Sequence, residues 1–313
     1  MYRVPALGIV LAVLFAAPLA AEPHRVTGAD GRSVAIDDAS RIVAVGGTVT
    51  EILYALGLGG RIVGVDLTSN YPAEAMEKPK VGYMRQLAAE GVLALGPTLI
   101  IAIEDAGPPE TLAVLAAASV PFLRVPKAHD PAGVAASIRL VADAAGESAK
   151  GAALAAAVEA DLATVGAMLE RIGERRKAVF VLGVGGGAPT VAGSGTAAAD
   201  MFALSHVDNA MAAADGYKPS SDEATVAAAP DAVVLMADRS HHLSDAQVLS
   251  VPAFAGTPAA ANGRLVRMSG GYLLNFGPRT AHAARDLAAA VYPEAGLPEL
   301  PPRPWTTDAP AGQ

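Results

Sequence analysis

The chain has 313 residues, of which 52% are hydrophobic and 17% charged, and it carries a formal net charge of −8 and no cysteine. This is the composition of a folded protein with a substantial core, and its acidic balance argues against nucleic acid and anionic lipid as partners. A chain without cysteine cannot rely on disulfides, so packing has to hold the fold together.

Residues 1–21 have the three-part pattern of a cleavable secretory signal peptide. Arg3 gives a positive start, an apolar run covers 4–19, and the small residues Ala20 and Ala21 precede polar sequence. The pattern predicts cleavage after Ala21 and a periplasmic location, with an uncleaved N-terminal anchor as the alternative. We expect no later segment to span a membrane.

Residues 22–131 alternate short apolar runs with helical stretches, which predicts an N-terminal α/β lobe. The predicted strands cover 41–45, 61–65, 98–103 and 120–125, and the predicted helices cover 49–56 and 110–118. Continuous apolar strands separated by helices are typical of a parallel sheet that is covered on both faces.

Residues 132–177 are predicted to link this lobe to a second one. One helix ends near Gly146, and a longer one over 148–172 would measure about 37 Å at the rise of an α-helix. Its apolar residues recur at intervals of three and four, which indicates a single buried stripe. They are Leu154, Val158, Leu162, Val165, Leu169 and Ile172.

Residues 178–297 resume the alternation and are predicted to form a C-terminal α/β lobe. The predicted strands cover 178–182, 190–192, 232–236 and 264–268, and the predicted helices cover 196–205, 222–229 and 280–291. Residues 298–313 are rich in proline and polar residues, and we expect a loose tail there. The predicted architecture is two lobes of mostly parallel sheet with flanking helices, joined by one long helix.

One motif in each lobe resembles a known family. The run TEILYALG at 50–57, and SDE at 221–223 with PDAVV at 230–234, resemble the cluster A substrate-binding proteins of ABC importers, which carry vitamin B12, siderophores and haem. The resemblance implies a class III periplasmic binding protein, monomeric and not an enzyme, whose partner is an inner-membrane permease with its ATPase.

A narrower resemblance concerns the ligand. The runs VGYMR at 81–85, AEGVLAL at 89–95 and GGYLLNFGPR at 270–279 resemble the haem-binding members of that family. The resemblance implies haem as the transported ligand, with its iron on Tyr83, and it makes Tyr272 a candidate for contact with the ligand. Tyr71 and Tyr217 are further candidates for the lining of the cleft.

The chemistry of Tyr83 needs a neighbouring cation. A phenolate is a hard anionic ligand for ferric iron, but the usual tyrosine pKa is near 10. Arg85 lies two residues further on, so in an extended loop its side chain points the same way and would stabilise the phenolate. From the residues alone, a surface Tyr83 with Arg85 paired to an acid stays open.

The two propionates of haem need positive groups. Arg239 follows the strand that ends near Met236, and ligands bind outside the carboxyl ends of parallel strands. We therefore expect the propionates near Arg85 or Arg239, with Lys80 and Lys127 as weaker candidates.

Glu51 and Glu223 occupy matching motifs of the two lobes. The resemblance implies that one glutamate of each lobe docks on the permease, although a glutamate at a helix start is also a common stabiliser. Two other functions stay open. One is the same fold binding a ferric siderophore or a corrinoid, and the other is a secreted enzyme on a two-lobed scaffold, for which no nucleophile elbow, zinc motif or phosphate loop is found.

Overall fold

The computed structural model describes residues 24–183, 188–237 and 243–306. The predicted signal peptide, residues 307–313 of the tail and Arg239 lie outside the described residues. The described part begins with an antiparallel hairpin of β1 (His24–Thr27) and β2 (Ser33–Ile36), which the sequence did not predict. Val26 and Ile36 attach this hairpin to the main core.

The N-terminal lobe contains a parallel sheet with the strand order β4-β3-β7-β8 and a separate two-stranded hairpin of β5 and β6. Its strands are β3 (Ile42–Val45), β4 (Ile62–Val65), β5 (Gly82–Tyr83), β6 (Gln86–Leu87), β7 (Leu99–Ile103) and β8 (Phe122–Val125). Its helices are α1 (Gly47–Ala55), α2 (Ala73–Met76), α3 (Ala89–Leu93) and α4 (Pro109–Ala117). Every residue of β3 and β7 is buried, as expected for strands covered on both faces.

Two helices lead out of this lobe. In α5 (Pro131–Ala144) proline takes the first turn, and the Asp130 side chain caps the start by accepting from the Gly133 N–H at 2.7 Å. Gly146, with φ 74°, turns the chain into α6 (Ser148–Leu169), which ends three residues before the predicted boundary.

The predicted stripe of α6 is buried up to Leu169. By length and composition α6 could cross a membrane, which differs from our expectation. Core helices of other proteins meet the same two criteria.

The C-terminal lobe is built on one mixed sheet. Its strands are β9 (Arg176–Gly183), β10 (Thr190–Ala192), β11 (Val207–Asn209), β12 (Tyr217–Pro219), β13 (Ala232–Met236) and β14 (Leu265–Met268). Its helices are α7 (Ala197–Leu204), α8 (Asp222–Ala228), α9 (Asp245–Leu249), α10 (Pro252–Ala255), α11 (Pro258–Ala261), α12 (Gly270–Leu274) and α13 (Thr280–Val291). The order is β12-β10-β9-β13-β14, with β11 also on β9. The strand β10 pairs antiparallel with both β12 and β9, and the other pairings in this sheet are parallel.

The long helix joins the two lobes as predicted, because α6 packs against α5, which leads out of the N-terminal lobe, and against α13 of the C-terminal lobe. The α/β architecture with flanking helices is confirmed.

The described end of the tail is not loose, contrary to the prediction. Arg303 donates twice to the Asp161 carboxylate in α6, at 2.9 and 2.6 Å. The Trp305 indole N–H donates to the Pro278 carbonyl at 3.0 Å, and the Tyr71 hydroxyl donates to the Trp305 carbonyl at 3.0 Å. Residues 298–306 are therefore tied to the linking helix and to both lobes.

Candidate ligand-binding cleft

The hairpin of β5 and β6 carries the predicted tyrosine and arginine at the edge of the N-terminal lobe. Gly82 starts it with φ 97°, a backbone conformation that favours glycine. The Nη1 group of Arg85 donates to the Tyr83 hydroxyl oxygen at 2.9 Å. The proximity expected from their spacing is therefore present, while the binding role of the pair stays a prediction.

Asp105 holds the other end of the same guanidinium. The Nη2 group of Arg85 donates to Asp105 Oδ2 at 3.0 Å, and the Lys127 ammonium lies 3.8 Å from the same oxygen. Burial acts against the charge of Arg85, but Tyr83 and Asp105 outweigh it, so the pKa of Arg85 is raised. Arg85 thus pairs with an acid and contacts Tyr83 at the same time.

The C-terminal lobe faces this cluster with Tyr217 and Asp200. Burial raises the pKa of Tyr217, Asp200 and Asp105 add to that shift, and Arg85 opposes it. Tyr217, whose side chain is therefore within electrostatic range of groups from both lobes, is 40% exposed. Its ring meets Phe180 edge-on, with centroids 6.3 Å apart.

A second contact crosses between the lobes on this side. His129 Nδ1 lies 2.5 Å from Asp200 Oδ2, with His129 just beyond β8 and Asp200 in α7. The space between the two lobes is therefore bordered by aromatic, cationic and acidic side chains of both.

The loop after β4 supplies apolar surface beside the hairpin. Buried Asp66 accepts from the backbone N–H groups of Gly46 and Thr68, each at 2.8 Å, which fixes the course of the loop. The backbone of Leu67 donates to the Gly82 carbonyl, while its side chain is 55% exposed. A flat apolar ligand held by Tyr83 would find this surface next to it.

Glu51 lies at the base of the interface between the lobes rather than on the surface. Its carboxylate accepts from Arg279 at 2.8 and 2.7 Å and from the Asn275 amide at 3.0 Å, and both charged side chains are 3% exposed. Burial acts against the charge of Arg279, but Glu51 outweighs it and raises its pKa. The predicted docking role of Glu51 needs an exposed carboxylate and does not fit this position.

Tyr272 belongs to the same buried base. Its hydroxyl donates to Asp286 at 2.7 Å, and the Arg279 guanidinium lies 5.0 Å from its ring centroid. Burial, and then Asp286, raise the pKa of Tyr272 far above its ordinary value. Among the described contacts of Tyr272 none is to Tyr83 or Arg85, so the structure does not bring it to the predicted site.

The two remaining cationic candidates, Lys80 and Lys127, have different surroundings. The Lys80 ammonium donates to the Ala75 carbonyl, and burial lowers its pKa, so Lys80 serves α2 and not the cleft. Lys127 joins the cluster through Asp105. Sequence reasoning passed over Asp105 and Asp200. Asp105 follows a strand end in the same way as Arg239, and that signal would have found it.

A second concavity is separate from the cleft. A groove of about 850 Å³ lies beside α1, and its lining includes Tyr54, Tyr71 and Trp305. It includes neither Tyr83 nor Arg85. The predicted site therefore does not coincide with this groove.

Two α/β lobes around a polar cleft, bridged by a long helix, define a two-lobed ligand-binding protein. The model of the periplasmic binding protein family matches residues 42–270, and this chain belongs to that family.

Solved structures and curated sequences agree with this assignment. The apo periplasmic haem-binding protein RhuT from Roseiflexus sp. RS-1 is 38% identical, with a TM-score of 0.78 over 82% of this chain and 100% of that one. Other matching structures are also of haem-binding proteins. The ABC transporter substrate-binding lipoprotein YvrC of Bacillus subtilis is 28% identical over 83% of this chain and 86% of its own length. A vitamin B12-binding protein of Vibrio cholerae is 42% identical, but only over 25% of this chain and 28% of its own. These relatives are binding proteins.

Proposed function

We propose that this protein captures ferric haem in the cleft between its lobes and delivers it to an ABC permease in the inner membrane. The observation that carries the proposal is the hydrogen bond from Arg85 to the Tyr83 oxygen at 2.9 Å. It supplies an iron ligand together with the cation that favours its anionic form. The haem-binding relatives support the choice of ligand.

The surroundings of the pair suit a flat, amphipathic, doubly acidic ligand. Leu67 and Tyr217 offer apolar and aromatic surface on the two sides of the cleft. Lys127 supplies positive charge within the described residues, and Arg239 stays a prediction for the same task. We propose that the iron binds Tyr83 and that the propionates meet these cations.

The test is an absorption titration of the purified protein with ferric haem. We expect a saturating spectrum with a phenolate-to-iron charge-transfer band, and we expect Tyr83→Phe to lose the band and to bind haem more weakly. The matched control is Tyr54→Phe, because the Tyr54 hydroxyl has no hydrogen-bond partner among the described residues and lines the separate groove.

Two outcomes would distinguish a wrong iron ligand from a wrong transported ligand. Binding that survives in Tyr83→Phe with an unchanged spectrum would keep haem and move the iron ligand, and Tyr217 would be tested next. No saturable spectral change with the unaltered protein would reject haem.

The specific alternative to haem as the ligand is a corrinoid. It is favoured by the similarity to a vitamin B12-binding protein, which covers a short stretch of the chain. A corrinoid needs no phenolate ligand from the protein. If a corrinoid or a ferric siderophore were the ligand, calorimetric titration with cyanocobalamin or with the siderophore would show saturable heat that Tyr83→Phe leaves intact. We expect neither ligand to bind.

We further propose that Glu223 and Glu90 dock the loaded protein on the permease. Each is exposed in the first turn of a short helix, seven residues before a proline that is followed two residues later by a buried strand. In α3 and β7 the proline is Pro97, and in α8 and β13 it is Pro230. This internal match makes Glu90 the counterpart of Glu223 in the N-terminal lobe. We therefore assign to Glu90 the docking role that was predicted for Glu51.

The docking proposal is tested with the permease and its ATPase in proteoliposomes. We expect Glu90→Arg and Glu223→Arg each to lower the stimulation of ATP hydrolysis by the haem-loaded protein, while haem binding stays normal. Glu110→Arg is the control, because Glu110 is also exposed in the first turn of a helix but lacks the repeat. Equal effects of the three variants would contradict the proposal.

The periplasm is the site of action that membership of this family indicates. We propose that residues 1–21 are the signal that directs the chain there. N-terminal sequencing of the protein secreted by a two-membraned bacterium should begin at Glu22, and a sequence that begins at Met1 would contradict cleavage.

A further inference from the structure

Asp105 is the group that fixes Arg85 in space. It lies two residues beyond β7, with a side chain 33% exposed. Its Oδ2 accepts from one terminal nitrogen of Arg85 at 3.0 Å, while the other terminal nitrogen donates to Tyr83 at 2.9 Å. A flexible arginine that is held by two acceptors keeps one orientation, because the planar guanidinium presents its donors in a rigid fork.

The backbone around Asp105 is joined to the hairpin that carries the tyrosine. The N–H of Gly107 donates to the Met84 carbonyl, and the N–H of Leu87 donates to the Gly107 carbonyl, both at 2.9 Å. Asp105 and Arg85 therefore stand on two segments whose separation is fixed by main-chain hydrogen bonds. The contact between their side chains is set by this frame and not by chance orientation on a free surface.

The charges decide what Arg85 can do. Without Asp105, the half-exposed guanidinium of Arg85 is free to turn toward another anion, and a carboxylate of the ligand would be one. With Asp105 in place, one side of the fork is occupied and the other points at the Tyr83 oxygen. Among the described residues of this cluster, Lys127, 3.8 Å from the same carboxylate, is a second cation that could meet an acidic ligand group.

We infer that Asp105 is a positioning residue of the haem site, which acts through Arg85 to keep its hydrogen bond on the Tyr83 oxygen and so controls how firmly that oxygen holds the iron. This inference rests on the proposed function. It assigns Arg85 to the iron ligand and leaves the propionates to other cations.

The experiment is a double-mutant cycle on haem release, measured by transfer to an excess of apomyoglobin. Loss of a hydrogen bond to a charged group predicts that Asp105→Asn speeds release roughly tenfold. We expect Arg85→Ala to do the same, the double variant to be no faster than Arg85→Ala alone, and both single variants to move the charge-transfer band in the same direction. Glu104→Gln is the control, because Glu104 is next to Asp105 in sequence and its carboxylate accepts from the Lys127 backbone N–H, not from Arg85. It should leave the rate of haem release and the charge-transfer band unchanged.

The inference would be overturned if Asp105→Asn speeds haem release equally with and without Arg85, or if it changes the release rate no more than Glu104→Gln does. A second readout needs no haem. In nitrogen-15 spectra of arginine side chains, Arg85 should show a guanidinium with slow rotation in the unaltered protein and fast rotation in Asp105→Asn. Failure of haem to bind would reject the proposed function. Equal rotation of the Arg85 guanidinium in the unaltered protein and in Asp105→Asn would reject the positioning role.

Discussion

The buried pair of Glu51 and Arg279 allows a sharp test of what holds the two lobes together. Replacing Arg279 with methionine removes two hydrogen bonds, of 2.8 and 2.7 Å, and leaves the Glu51 carboxylate at 3% exposure with Asn275 as its remaining partner. A buried charge stripped of its partner costs about 3–5 kcal/mol. We expect Arg279→Met to lower the free energy of unfolding by that amount.

Urea unfolding followed by circular dichroism measures the loss, with Arg139→Met as the control. Arg139 makes one hydrogen bond to Glu159 at 2.9 Å, but these side chains are 47% and 41% exposed, so the expected loss is below about 1 kcal/mol. Adding Glu51→Leu to Arg279→Met should restore most of the lost stability, because no buried charge is then unpaired. A loss for Arg279→Met as small as that for Arg139→Met, or a double variant less stable than the single one, would refute the reasoning.

Three further predictions concern the same base. The raised pKa of Tyr272 means that its neutral form stabilises the fold fully below pH about 10, the ordinary tyrosine value, and that this is lost as pH rises further. The stability advantage of the unaltered protein over Tyr272→Phe should therefore shrink between pH 9 and pH 11 in urea unfolding, and a constant difference would contradict this. Trp305→Ala should cost about 2 kcal/mol in thermal unfolding, less than for a fully buried aromatic, and an unchanged midpoint would mean that the tail does not hold the fold. Gly47→Ala would place a Cβ 2.2 Å from the Asn275 amide nitrogen and should cost about 1–3 kcal/mol. Asn275→Ala should restore only part of that loss, because the Cβ would also lie 2.9 Å from the Thr68 carbonyl oxygen and because Asn275 donates to Glu51. A double variant whose loss equals the sum of the two single losses would contradict the clash with Asn275.

Eight of the strands in the two sheets could be predicted because each is a mainly apolar run, and the predicted edges lie within two residues of the observed ones. The strands β11 and β12 of the C-terminal sheet were not predicted. The hairpin that carries Tyr83 could not, because each of its strands has two residues and no alternation can be detected over that length. The tail was misjudged because proline-rich composition does not reveal that Arg303 and Trp305 have partners far away in the chain.

The site was predicted only where its residues are neighbours in sequence. Tyr83 and Arg85 are two residues apart, so their contact follows from an extended backbone. Asp105 is 20 residues from Arg85, and Glu51 is 228 residues from Arg279. Local pattern carries no information about such pairs, which explains why Glu51 was assigned to the surface on its motif alone.

The base of the interface bears on how the cleft takes its ligand. An ion pair at 3% exposure, the 22 residues of α6 and the end of the tail all connect the two lobes. A wide hinge motion would have to expose Glu51 and Arg279 to water and break the contacts of Trp305 together. Small closure leaves those contacts intact and needs little ordering on binding, so more of the interaction energy appears as affinity. The geometry at the base therefore favours a cleft whose two walls are held near their binding positions before the ligand arrives.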